Sequence, residues 1–160
     1  MDQALTITGK QEVFLSSPKF AVVGEFTNPS RPWATKVLQW YKSHNKSVTP
    51  VDSTTDELEG IRTVRTLADL PAPSETSVSI ITSAKTTLKL LEEAKALSVP
   101  ALWLQPGAAG ENHVQREGGE NYKEKIKAYI EDNGMSSKVI FGGPCVLVQG
   151  SEILDAKAQM

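Results

Sequence analysis

Short apolar runs alternate with amphipathic segments along most of this chain. Because the runs are continuous rather than alternating, they are typical of strands that are buried on both faces of a parallel sheet. They predict strands at residues 20–23, 48–51, 78–81, 101–104, 139–141 and 146–148. The segment TTDELEG, between the second and third of these strands, predicts a short helix or a turn.

The segments between the strands show the helical spacing of apolar residues. After Pro32, which suits the first turn of a helix, apolar side chains recur at this spacing from Trp33 to Tyr41. The same spacing predicts a helix between the third and fourth strands and another after Asn121, which we expect to end near Gly134. Strands that alternate with helices indicate an α/β fold with a parallel sheet and right-handed crossovers.

In such sheets the ligand lies beyond the carboxyl ends of the strands, where the strand order reverses. The candidate cofactor-binding residues therefore lie at or beside the ends of the first four strands. They are Gly24, Thr27, Asn28, Pro29, Ser30, Arg31, Pro32, Val51, Asp52, Thr82, Ser83, Lys85, Gln105 and Gly107. The polar stretch at 107–121 is predicted to be a solvated loop, with a mobile lid as the alternative.

The loop after the first strand, GEFTNPSRPW, has the components of a pyrophosphate-binding site. Gly24 permits a tight turn, and the helix that starts near Pro32 offers free N–H groups. Arg31 can pair bidentately with a phosphate. On spacing alone, a solvent-exposed helix cap without a ligand is an equally good interpretation. Lys85, just after the third strand, is a further candidate to meet a phosphate.

Two features of the sequence bear on NAD as the ligand. The first loop lacks the G-x-G-x-x-G fingerprint, which argues against an ordinary NAD site. Asp52 argues for one, because an acid after the second strand can accept a hydrogen bond from a ribose 2′-hydroxyl. An NAD(P)-binding domain or a fragment of an oxidoreductase therefore stays open.

Composition places the chain among ordinary globular domains. Its 160 residues are 39% hydrophobic and 22% charged, which suits one domain with a sizeable core. The net charge of −2, with the 17 Lys and Arg residues scattered, disfavours a nucleic-acid partner. No apolar run has membrane-spanning length and no secretory leader pattern is present. We therefore expect a cytoplasmic protein without a membrane partner.

No catalytic or metal-binding set stands out among the reactive side chains. The single cysteine, Cys145, excludes an internal disulfide and a Cys-based zinc site. Because it lacks a Cys–His signature, we favour a small core residue over a nucleophile. His44 is expected to cap the end of a helix, and His113 lies in the polar stretch. We predict no catalytic residue and no metal ligand, and therefore a binding module rather than an enzyme.

Five motifs in one order resemble those of a known family. FAVVGEFTNPSRP at 20–32 is similar to the family's usual AVVG-x-S-x-x-P-x-R-P-S. VTPVDS, GIRTVRTLADLPAP and ALWLQPGA are similar to its next segments, and Cys145 falls where the family often has a cysteine. Over residues 20–148 the chain thus resembles the small CoA-binding-domain proteins, which share the fold of the CoA-binding domain of the succinyl-CoA synthetase α subunit.

This resemblance implies a Rossmann-like, doubly wound and mostly parallel sheet of five to six strands in a single domain. The domain would span 18–150, between an N-terminal extension at 1–17 and a C-terminal tail at 151–160. The resemblance also implies that the candidate residues bind CoA or an acyl-CoA. Asp52-Ser53 replaces the family's usual Asn-Pro, and an acid there would repel the 3′-phosphate of CoA. An interaction protein that has lost the ligand is the other alternative, and no protein partner is indicated.

Overall fold

The structure is a computed structural model that describes residues 7–24, 33–52, 55–58, 60–82, 84–105, 116–117 and 120–141. The helices in this part of the chain are α1 (Ile7–Leu15), α2 (Trp33–Ser43), α3 (Ala84–Ala96) and α4 (Tyr122–Asp132). The strands are β1 (Lys19–Gly24), β2 (Val48–Val51), β3 (Glu57–Leu58), β4 (Ile61–Arg62), β5 (Thr76–Ile81), β6 (Leu102–Leu104), β7 (Arg116–Glu117), β8 (Glu120–Asn121) and β9 (Val139–Ile140). Short 3-10 helices occur at Leu67–Asp69 and Pro73–Glu75. None of the described helices is long and apolar enough to cross a membrane.

Five of the strands form one sheet with the order β2-β1-β5-β6-β9. Every neighbouring pair in this sheet is parallel. From β1 the chain passes to β2 on one side, and from β5 it passes to β6 on the other. The prediction of a doubly wound, Rossmann-like parallel sheet is thereby confirmed. The sixth predicted strand, at 146–148, lies outside the described residues.

Helices cover both faces of this sheet, because the strands are apolar on both faces. In β1, Phe20 and Val22 pack in one cluster with residues of α1 and α2. The alternate residues Ala21 and Val23 pack in a second cluster with residues of α3 and α4. This arrangement explains the continuous apolar run in the sequence, since a strand with helices on both faces has no solvent-facing side.

The central strand β5 carries two buried serines towards α1 and α2. The Ser77 hydroxyl donates to the Phe14 carbonyl at 2.8 Å, which anchors the end of α1. The hydroxyls of Ser79 and Tyr41 lie 2.7 Å apart and share a hydrogen bond that anchors α2. Burial raises the pKa of the Tyr41 phenol well above its usual range. The neutral phenol is therefore the form that the folded protein holds.

Two further expectations concern how segments end. Gly134 follows α4 with φ of 67°, and the Met135 N–H donates to the Ile130 carbonyl at 2.9 Å, so the predicted helix end is confirmed. His44 follows α2, and its Nδ1 atom lies 2.9 Å from the Trp40 carbonyl. This hydrogen bond confirms that His44 caps the end of the helix.

The segment TTDELEG is not helical in its described part. Glu57–Leu58 and Ile61–Arg62 pair as the antiparallel hairpin β3–β4, and Gly60 lies in its turn with φ of 77°. A non-glycine residue rarely adopts this backbone conformation, so Gly60 favours the reversal of the chain. The hairpin leads into Val64, which bridges to Val51 of β2.

Candidate functional site

The described candidate residues lie along one edge of the sheet, at the carboxyl ends of its strands. Gly24 ends β1 and is in register with Ile81, the last residue of β5. Asp52 follows β2, Thr82 follows β5 and Gln105 follows β6. The parallel strands therefore bring these four positions to the same edge, as the sequence predicted from their places after strands.

Gly24 lets the start of α2 approach the end of β1 closely. A Cβ atom at this position would lie 2.8 Å from the Cβ of Ala34 and 2.9 Å from the carbonyl oxygen of Ile81. Both distances are shorter than ordinary van der Waals contact, so only glycine fits without a shift. Gly24 therefore has a packing role between a helix and two strands. The tight turn expected after it lies outside the described residues and stays a prediction.

The close approach at Gly24 fixes where the N-terminus of α2 lies. Ala34 is the second residue of α2, so the first turn of α2 is held beside the carboxyl end of β1. β1 and β5 are the strands between which the strand order reverses. A helix N-terminus at this point of a doubly wound sheet favours an anionic group such as a phosphate.

Asp52 occupies the end of β2 and is largely buried, with 9% of its surface exposed. Its N–H donates to the Val64 carbonyl at 2.9 Å, which ties the strand end to the segment after the β3–β4 hairpin. Val51, the residue before it, packs in the cluster formed with α3 and α4. The structure therefore gives Val51 a packing role, whereas Asp52 stands at the edge where a ribose is expected.

Thr82, Lys85 and Gln105 lie near the ends of the next two strands. The hydroxyls of Thr82 and Thr87 are 2.8 Å apart and share a hydrogen bond across the start of α3. Lys85 is the second residue of that helix. Gln105 is buried, and its N–H donates to the Ile80 carbonyl at 3.0 Å. These contacts order the backbone on the β5 and β6 side of the strand reversal.

The remaining predicted site residues lie outside the described residues. They are Thr27, Asn28, Pro29, Ser30, Arg31, Pro32, Ser83 and Gly107. Cys145 and His113 lie outside them as well. Their roles remain predictions from the sequence.

The segment that follows the β3–β4 hairpin belongs to a family-like motif, but the sequence predicted no site residue in it. The Val64 N–H donates to the Pro50 carbonyl at 3.1 Å, and the Val64 carbonyl accepts a hydrogen bond from the Asp52 N–H. This segment is therefore joined to the outer side of β2 at the candidate site. The β-branched residues Ile61, Thr63 and Val64 were the available signal for this extended conformation.

The fold and the edge geometry together define a class: a Rossmann-like domain whose strand reversal carries a helix N-terminus suited to a phosphate. Within this class, the family model described as CoA binding domain matches residues 18–151. The chain belongs to this CoA-binding-domain family. The resemblance inferred from the five sequence motifs is thereby confirmed. No curated protein matches the chain significantly.

Solved structures share this fold. A conserved hypothetical protein from Pyrococcus furiosus is 27% identical, with a TM-score of 0.65 over 82% of this chain and 97% of that chain. A hypothetical protein from Pyrococcus horikoshii OT3 is 19% identical, with a TM-score of 0.70 over 96% and 99% of the two chains. The apo form of a dinucleotide forming acetyl-coenzyme A synthetase from Ca. Korarchaeum cryptofilum is 18% identical, with a TM-score of 0.57 over 79% of this chain and 26% of that chain. At these lower identities the latter two show the fold alone.

Proposed function

We propose that this chain binds CoA or an acyl-CoA at the carboxyl edge of its sheet. The observation that carries the proposal is the close approach at Gly24, which holds the N-terminus of α2 beside the end of β1. Membership of the CoA-binding-domain family supports CoA as the nucleotide that uses this edge.

The proposal assigns a part of the ligand to each side of the strand reversal. Arg31 and the backbone at 27–30, together with the first turn of α2, would hold the pyrophosphate through charge-assisted hydrogen bonds. The adenosine ribose would lie over the end of β2, near Asp52. Thr82, Lys85 and Gln105 would flank the ligand on the side of β5 and β6. CoA itself would supply the thiol or thioester chemistry.

The same proposal makes the chain a binding module without catalysis of its own. The sequence offers no predicted nucleophile–base pair and no predicted metal cluster that could attack a thioester. A binding module holds the cofactor for a partner or senses its level. Neither role requires a reactive side chain at the edge.

Calorimetric titration of the full chain with CoA, acetyl-CoA, NAD and NADP tests the proposal. We expect saturable binding of CoA or acetyl-CoA with one site per chain. Arg31→Ala should weaken that binding by about 1.5–3 kcal/mol, because a hydrogen bond to a charged group is lost.

Lys46→Ala provides the matched control for this titration. Lys46 lies in the loop before β2, at the opposite edge of the sheet, so its removal takes away one positive charge without touching the proposed site. It should leave the dissociation constant unchanged. Binding of NAD without CoA would contradict the proposal in favour of the dinucleotide alternative. Binding of no nucleotide would favour an interaction protein.

A further inference from the structure

An open cavity of about 510 Å³ lies beside the outer side of β2, away from the strand reversal. We call it the outer arginine pocket. It is lined by Asp56, Arg62, Thr63, Val64, Arg65 and Asp69. Two arginines in one cavity provide two planar donor groups, which suit a doubly charged phosphate.

Backbone hydrogen bonds bring this pocket to the end of β2. Val64 is bonded to both Pro50 and Asp52, at 3.1 and 2.9 Å, so the chain at this point runs alongside the end of the strand. Arg62 lies two residues before Val64, and Arg65 comes directly after it. The two guanidinium groups are thus attached to the segment that adjoins Asp52.

The charges around the pocket allow Arg65 to change partners. Arg65 pairs with Asp56, but the two side chains are 49% and 89% exposed. An exposed ion pair of this kind contributes about 0–1 kcal/mol, so exchange for a more highly charged partner is favourable. Arg62 is exposed and makes no ion pair within the described part of the chain. The Asp69 carboxylate accepts a hydrogen bond from the Thr66 hydroxyl at 3.1 Å.

We infer that the outer arginine pocket binds the phosphate carried by the ribose of the nucleotide, which in CoA is the 3′-phosphate. This inference rests on the proposed function, because it needs the ribose to lie over the end of β2. In doubly wound domains an arginine near this strand end can accommodate a ribose phosphate. Here Arg62 and Arg65 would offset the repulsion that Asp52 exerts on the phosphate. NADP carries a phosphate on the same sugar, so the test must separate the two nucleotides.

The test compares CoA with dephospho-CoA, and NADP with NAD, on the same protein samples. The variant is the double substitution Arg62→Gln with Arg65→Gln, and the control is Lys46→Gln. We expect wild type and the control to bind CoA at least about tenfold more tightly than dephospho-CoA, the effect of one charge-assisted contact. In the double variant this ratio should fall to about twofold or less. Because both ligands are measured on one sample, a folding defect would weaken both and leave the ratio intact.

Each other outcome has a distinct meaning. Equal affinities in wild type, or a tenfold ratio that survives in the double variant, would overturn the inference while leaving CoA binding in place. Discrimination of NADP from NAD that is lost in the double variant, without CoA binding, would support the phosphate pocket but contradict the proposed function. If none of the four nucleotides binds, both the proposed function and this inference fail.

Discussion

Substitution of Gly24 by alanine tests the packing that positions the N-terminus of α2. The new Cβ would lie 2.8 Å from the Ala34 Cβ and 2.9 Å from the Ile81 oxygen, whereas ordinary contact begins at 3.4 Å. The Ile81 oxygen belongs to the central strand and cannot move freely. The start of α2 must therefore shift by about half an ångström, which typically costs about 1–3 kcal/mol.

Alanine also restricts the unfolded chain, which returns about 0.4–1 kcal/mol of stability. We expect a net loss of about 1–2 kcal/mol in the free energy of unfolding, or a Tm lower by about 2–8 °C for a chain of this length. Urea unfolding followed by circular dichroism measures the first quantity, with the midpoint compared at a constant m-value. The same shift should weaken CoA binding, because it moves the N-terminus of α2, which would face the pyrophosphate in the proposed complex.

A double-mutant cycle with Ala34→Gly isolates the contact. Ala34→Gly alone should cost about 1 kcal/mol, since glycine is unfavourable in a helix. In the Gly24→Ala background it removes the closer of the two contacts, so the combined loss should be smaller than the sum by at least about 0.5 kcal/mol. The Ile81 contact persists, so recovery is partial. A Gly24→Ala protein as stable as wild type, or strictly additive losses, would refute this account of Gly24.

Three further predictions concern other residues. Asp52→Asn should tighten CoA binding by about fivefold, because it removes about 1 kcal/mol of charge repulsion, and should leave dephospho-CoA binding nearly unchanged. Calorimetry measures both affinities, and weaker NAD binding in the variant would instead favour the dinucleotide alternative. Tyr41→Phe should cost about 1–3 kcal/mol in urea unfolding at neutral pH, because the buried Ser79 hydroxyl loses its partner. Burial raises the pKa of Tyr41 in the folded state, so at high pH this side chain ionises first in the unfolded chain. Wild-type stability should therefore fall as pH rises above about 10, and the stability of Tyr41→Phe should fall less steeply. Equal slopes of stability against pH in the two proteins would contradict this. Incubation with acetyl-CoA should release no free thiol, as measured with a thiol reagent, and release that disappears in Cys145→Ala would show that this residue is a nucleophile.

The main sheet could be predicted because its signal is local. The predicted strand at 48–51 matches β2, and the strand predicted at 78–81 forms the last four residues of β5. Each run is short, apolar and followed by a turn or a helix start, so neighbouring residues alone identify it. The helix ends at Gly134 and His44 were predictable for the same reason, since caps are formed within a few residues.

Elements that depend on distant contacts could not be predicted in this way. Helix α1 lacks a regular apolar face, and Val13 within it is 43% exposed, yet Phe14 and Leu15 are held in the core through contacts with the sheet. The β3–β4 hairpin contains only two residues per strand, and its sequence DELEG favours a helix locally. Its pairing and the Val64 bridge to β2 override that preference.

In the candidate site, too, features with a local signal were predictable and features that depend on distant contacts were not. The places of Asp52, Thr82 and Gln105 follow from the rule that ligands lie at the carboxyl ends of strands, so the sequence predicted them. The packing role of Gly24 depends on Ile81, and the outer arginine pocket depends on a contact between Arg65 and Asp56. Pairings such as these are set by the tertiary fold, so spacing in the sequence does not reveal them.

Amide chemical-shift mapping of the labelled protein during a CoA titration tests the central claim most directly. The account predicts saturable shifts at the carboxyl edge of the sheet, at Gly24, Asp52, Thr82 and Gln105. The amides of Lys46, Ser98 and Lys138, which lie in the loops before β2, β6 and β9 at the opposite edge, should not move. Saturable shifts confined to that opposite edge, or no shifts at a large excess of CoA, would contradict the claim that this edge binds CoA.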